Sequence, residues 1–358
     1  MIRRYQGALA VCVLLIGYVS LYPFVPLRAP VEGAFAAFFV KPRFIVGFDL
    51  ILNVLAYVPF GVMACLRFRE ARRPRPVLRT VAIATVLSFG FEMCQLFVPY
   101  RVASILDVVA NAFGAAIGAF AFVEPVYTVL GRPLGDMRNR VFASGLWGDA
   151  GIVLVALWLL AQLNPALPFF GAGNIVAEGD HTFDSELLLV IAVGMSFCGF
   201  ALFVSTLMRA TDGSLRVTIV LLSIALWLKF AAGSVMLKPH FSAEWVSWGR
   251  ITGLVAGTVI FIPFRKLGRL ARIYLAIVLM LAGTLFAKIF GSYDATEEVL
   301  RFFNWPHGQL AGFATLTGYM HELWPFAALV FLIGYFFHTR KISTLLERTQ
   351  TLESRNFR

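Results

Sequence analysis

A chain of 358 residues that is 59% hydrophobic and only 14% charged, with mean hydropathy +0.79, does not have the makeup of a water-soluble domain, where about a quarter of residues are charged. Its composition calls for an all-α fold, a polytopic membrane bundle, because a spanning segment must satisfy its backbone groups internally. The net charge of +11 is then a signal of topology and of attraction to anionic inner-leaflet lipid, and the basic stretch 67–79 is a solvated, proline-broken loop rather than a nucleic-acid site.

Ten segments approach the length of about 20 apolar residues that a span requires: 5–23, 47–66, 78–98, 104–123, 147–164, 187–208, 217–236, 250–264, 272–290 and 323–338. The first follows Met1-Ile2-Arg3-Arg4 and ends at Tyr22-Pro23-Phe24 with no small-residue cleavage site, so it is expected to be an uncleaved signal anchor. The eighth has the shortest clean apolar run; Arg250 stands at its edge, and an earlier start near Trp245 is the alternative. The sequence divides into a four-helix domain over 1–125, a cytoplasmic linker over 126–146, a six-helix region over 147–339 and a polar cytoplasmic tail over 340–358 with a weak helical pattern. The Gly- and Thr-rich stretch 307–323 is expected to form an outer-interface helix or a re-entrant piece. No internal repeat of the kind that marks secondary transporters is evident.

With the N-terminus inside, 22 of the 31 Lys and Arg residues fall in inner segments and 7 in outer ones, so both termini are expected in the cytoplasm. The acidic residues Glu178, Asp180, Asp184 and Glu186, and Asp294, Glu297 and Glu298, then face outward. Cys12, Cys65, Cys94 and Cys198 all lie in predicted spans, which argues against disulfides and a zinc cluster. His181, His240, His307 and His321 are predicted outside, but no spacing among them matches a catalytic metal motif, so no metal is assigned. No phosphate-binding loop, dinucleotide fingerprint or nucleophile elbow is present, and no cofactor is assigned. Lys229 lies deep in its span, where a pairing with an acidic group in the later bundle is the simple expectation; Lys288 snorkels to the interface.

The first four spans carry polar residues at helical spacing. Glu92, Gln95 and Pro99 repeat at i, i+3, i+7; Asp107, Asn111, Gly114 and Gly118 at i, i+4, i+7, i+11; Asp49 and Asn53 at i, i+4. A short hairpin at Pro99-Tyr100-Arg101 makes the third and fourth spans antiparallel neighbours, so these groups reach similar depth near the outer ends. At 1.5 Å per residue Glu92 lies about 10 Å below Pro99, inside hydrocarbon, where an ionisable group marks a functional candidate. The plain alternatives are a polar network that ties helices together for Glu92 and Gln95, a salt bridge across the hairpin for Arg101 and Asp107, and helix packing for Asn111, Gly114 and Gly118.

The combined run, Asp49-x3-Asn53-x5-Pro59-x-Gly61 followed by Glu92-x2-Gln95-x3-Pro99-x-Arg101-x2-Ser104-x2-Asp107-x3-Asn111-x2-Gly114-x3-Gly118, resembles the VanZ-like family over about residues 1–125. The resemblance implies a polytopic inner-membrane protein of the bacterial cell envelope, in a family whose founding member is associated with low-level teicoplanin resistance; it implies no particular reaction. On that footing the expected function is binding or modification of an amphiphilic or lipid-linked envelope molecule, with Glu92 and Asp107 as acid/base candidates and Asp49, Asn53, Gln95, Arg101 and Asn111 as binding residues. The expected partner is a membrane lipid or lipid-linked precursor. Two other classes remain open on the sequence: a proton-coupled transporter or flippase with Glu92 as the protonation site, and a structural partner in an envelope assembly.

Overall fold

The computed structural model describes residues 4–22, 24, 27–40, 47–98, 101–121, 128–129, 132–170, 183–238, 247–290, 303 and 309–356, with the side chains of 4–5, 47–49, 134, 183–185, 290, 309, 311 and 342–356 outside that description. Twelve helices and no strands occur among these residues: α1 Arg4–Leu21, α2 Ala34–Phe38, α3 Gly47–Glu70, α4 Pro76–Gln95, α5 Ile105–Phe120, α6 Arg132–Val141, α7 Leu146–Ala161, α8 Phe183–Leu207, α9 Ser214–Met236, α10 Trp248–Phe264, α11 Arg269–Phe290 and α12 Gln309–Asn356. Each of the ten predicted apolar segments coincides with one of them. Six helices are long and apolar enough to cross a membrane (within α3, α4, α8, α9, α11 and α12), and α1, α5, α7 and α10 contain shorter apolar stretches. The protein is an all-α, multi-pass membrane protein.

The expectation for 307–323 needs correcting. This stretch is no separate interfacial or re-entrant piece from Gln309 onward; it is the start of α12, a 48-residue helix that passes through Pro325 and runs to Asn356. Glycine and proline read as breakers in water, but an apolar medium offers the backbone no partner outside the helix, so the helix continues through them.

The chain clusters into two compact units, Met1–Arg138 with Trp305–Leu316, and Asn139–Asn304 with Thr317–Arg358. In the first, α3 and α5 lie backbone to backbone. A methyl group on Gly114 would collide with the Val54 carbonyl oxygen, one on Gly118 with the Val58 carbonyl oxygen, and one on Gly61 with the Ala115 carbonyl oxygen. Small residues permit this approach, and packing and weak Cα–H···O contacts reward it in place of a hydrophobic drive that lipid cannot supply. Around this seam Ile16, Tyr57, Phe60, Ala64, Ala84 and Ala115 form the core, with Leu87 and Phe91 packed against it. Pro59, inside α3, points away from the core. Pro76 opens α4 where a missing N–H costs nothing, and Ser104 caps α5 by accepting from the Leu106 N–H at 3.2 Å.

In the second unit α8 is the most deeply buried of the six long apolar helices. It meets α10 where Gly257 lies on the Gly194 carbonyl, and α11 where Gly283 lies on Ser196. Phe197, Phe200, Phe203 and Leu207 of α8 join Trp158, Phe261, Met280, Trp324 and Phe331 in its core. Large apolar side chains that remain exposed, among them Val86 and Phe89 on α4 and Val255 and Val259 on α10, stand where lipid tails would cover them.

Candidate functional site

The inward face of α4 reads Thr80, Ala84, Ser88, Glu92 and Gln95, all buried and spaced by about one helical turn. α3 presents Asn53 and Tyr57 at the same spacing, and α5 presents Asn111, Gly114 and Gly118. Because glycine brings α5 against α3, and α4 packs on both, the polar groups of all three helices meet inside the first unit.

Glu92 is only 2% exposed. Its Oε2 accepts from the Ser104 N–H at 2.9 Å, which sets the carboxyl at the first turn of α5, where exposed backbone N–H groups favour an acidic side chain. Asp107 occupies that same first turn and accepts from Asn53 Nδ2 at 2.7 Å through Oδ1. One turn along, Asn111 Nδ2 donates to Ser88 Oγ at 2.8 Å. The Tyr57 hydroxyl lies against Ser88. Two atoms here are buried without a well-formed hydrogen bond among the described residues, Tyr57 Oη, which only approaches Ser88, and Asn111 Oδ1. Buried polar atoms are nearly always paired, so two such atoms beside one serine ask for a further polar group.

Gln95 and Arg101 reach the end of α1. Gln95 Nε2 donates to the Ser20 carbonyl at 3.0 Å. Arg101 donates through Nη2 to the Val19 carbonyl at 2.6 Å and through Nε to the Tyr22 carbonyl at 3.2 Å. A cation and an amide thus close the C-terminal end of α1, whose last carbonyls have no intrahelical donors. Gly312 at the start of α12 lies over this cap, since a methyl group there would meet the Val19 oxygen at 2.8 Å and Arg101 Nη2 at 2.9 Å.

The structure therefore gathers Asn53, Glu92, Asp107 and Asn111 into one network, and places Gln95 and Arg101 at the end of α1 with two Arg101 nitrogens already on backbone oxygens. Asp49 lies on the first turn of α3, with its side chain outside the described residues. Tyr57 and Ser88 did not stand out in the sequence. Their signal was there, four residues after Asn53 and four before Glu92, but a lone tyrosine or serine in an apolar helix carries no mark of its own. Among the histidines, His321 falls on α12, while His181, His240 and His307 lie outside the described residues. Among the described residues no three His, Cys, Asp or Glu side chains group as a metal site.

No curated protein and no solved structure matches the chain. A family model does: the arrangement just described lies within residues 6–128, which match the model of the VanZ/LLP1 family, and the N-terminal third of this multi-pass membrane protein is therefore a VanZ-like domain.

Proposed function

We propose that the VanZ-like domain binds the polar part of an amphiphilic or lipid-linked cell-envelope molecule between α3, α4 and α5, in a protein of the bacterial inner membrane. The observation that carries this is a pair of poorly satisfied buried atoms, Tyr57 Oη and Asn111 Oδ1, on residues that both meet Ser88, one turn from Glu92. A ligand hydroxyl or amide answers both, since it donates to Asn111 Oδ1 and pairs with the tyrosine hydroxyl. Sugar and peptide head groups carry such groups, which suits an envelope precursor and the family's link to glycopeptide resistance. Exposed apolar faces on α4 and α5, including Phe89, Val109 and Phe113, offer the lipid side of such a molecule an apolar surface.

Tyr57→Phe gives a sharp test. Removing a hydroxyl that makes no well-formed hydrogen bond among the described residues costs little, so stability is expected to stay unchanged or rise by up to about 1 kcal/mol. A bound molecule that uses that hydroxyl is expected to be lost. Native mass spectrometry of the full-length protein purified with its lipids reads this directly. A defined adduct on wild type that falls about tenfold in folded Tyr57→Phe and Glu92→Gln supports the site. The same adducts on all three proteins, or no specific adduct on wild type, sinks it.

A further inference from the structure

The second unit holds a buried cation that the VanZ-like domain does not account for. Lys229, on α9, is 0% exposed. Its Nζ donates to the Asn164 carbonyl at 3.0 Å, its one hydrogen-bond partner among the described residues. The Phe169 ring centroid is 6.0 Å away. Asn164 is itself held in place: its Nδ2 donates to Thr317 Oγ1 at 3.0 Å and its Oδ1 accepts from the Ala166 N–H at 3.1 Å. An ammonium group has three N–H donors, so two remain beyond the carbonyl. The expected acidic partner is not found among the described residues. Among the described residues the charge that acts on Lys229 is another cation, Arg250 on α10, which in turn feels the opposite charge of Glu186 on α8.

In their ionised forms, Lys229, Arg250 and Glu186 leave one positive charge in excess among the described residues. Burying such a charge without a counter-ion costs several kcal/mol. A neutral carbonyl and one aromatic face, each worth about a kcal/mol or two, do not offset it. We propose that Lys229 is the anchor of a binding site for a singly charged oxyanion, a phosphodiester or carboxylate, held by the two remaining ammonium donors. One negative charge matches the excess; a doubly charged phosphate monoester overshoots it. The ligand is either the head group of an anionic lipid that enters the bundle or a free oxyanion. The proposal does not depend on the site in the VanZ-like domain.

The test uses full-length protein in nanodiscs of phosphatidylglycerol or phosphatidylcholine, with retained lipid read by native mass spectrometry. A second arm titrates acetate and dihydrogen phosphate and follows the tryptophan fluorescence of Trp158 and Trp324, which share a core with Phe169. Retention of phosphatidylglycerol over phosphatidylcholine, reduced about tenfold or more in Lys229→Met and unchanged in Lys288→Met, assigns a lipid head group; that is the scale of one lost charge-assisted hydrogen bond. A saturable fluorescence response to free anion in wild type, absent in Lys229→Met, assigns a free oxyanion. Equal retention of both lipids together with no saturable anion response in wild type overturns the proposal. That last comparison needs no variant, so a Lys229→Met protein that fails to fold leaves the test intact.

Discussion

Gly114→Leu is expected to cost the VanZ-like domain more than about 3 kcal/mol, and Gly114→Ala about 1–3 kcal/mol, the usual range for forcing atoms into a filled interior. The reason is what the new side chain would meet. At Gly114 it runs into the Val54 carbonyl oxygen, part of the α3 backbone, which cannot rotate away as a side-chain tip can. Gly118→Ala faces the same obstacle at Val58, and the double alanine variant is expected to lose more than either alone. Gly90→Ala supplies the contrast. Nothing lies within 4 Å of a methyl group there, and alanine is the better helix former by about 1 kcal/mol, so that variant is expected to match or exceed wild type. Thermal unfolding in detergent, followed by the fraction that stays monodisperse, measures the series. Equal melting of Gly114→Ala and Gly90→Ala would mean that α3 and α5 do not meet at these glycines.

Arg101→Met is the second large effect. The arginine supplies N–H groups to the Val19 and Tyr22 carbonyls at the end of α1. Methionine keeps the apolar stem and removes both donors, leaving two oxygens short of partners at about 1–3 kcal/mol each where water does not reach them. Arg101→Lys is expected to restore only part of the loss, since an ammonium is a point donor and cannot span two carbonyls as a planar guanidinium does. Hydrogen exchange at the last turn of α1 is the local readout, and it should quicken in Arg101→Met while α4 and α5 stay protected. A variant that loses ligand but keeps both the melting temperature and α1 protection would instead make Arg101 a ligand-binding residue. This separates Arg101 from Tyr57, for which loss of ligand without loss of stability is the expected pattern.

Helix positions were legible because lipid leaves the backbone few choices, and length and apolarity then suffice to mark where helices run. The polar network was legible in part, because Asn53, Glu92, Asp107 and Asn111 stand out against apolar surroundings and fall on helical spacing. The partners of Arg101 at the end of α1 were not legible for a physical reason. They are main-chain oxygens, which every residue has, so no residue type at positions 19 or 22 announces them. Tyr57 and Ser88 blended in because both residue types are common in membrane helices, and only the poorly satisfied Tyr57 Oη and Asn111 Oδ1 single them out. The continuity of α12 was hidden by Gly312, Gly318 and Pro325, breakers whose force depends on a solvent this helix does not have.

The assignment of Trp305–Leu316 to the same unit as Met1–Arg138 has a consequence in time. Gly312, which lies over the Arg101 cap, leaves the ribosome about 180 residues after the VanZ-like domain, a delay of roughly 10–35 s at 5–20 residues per second. During that interval the domain is inserted but open on one side, with the end of α1 uncovered. Completion of the first unit is thus tied to synthesis of nearly the whole chain, so a truncated product would be left with that unit unfinished for membrane quality control to recognise.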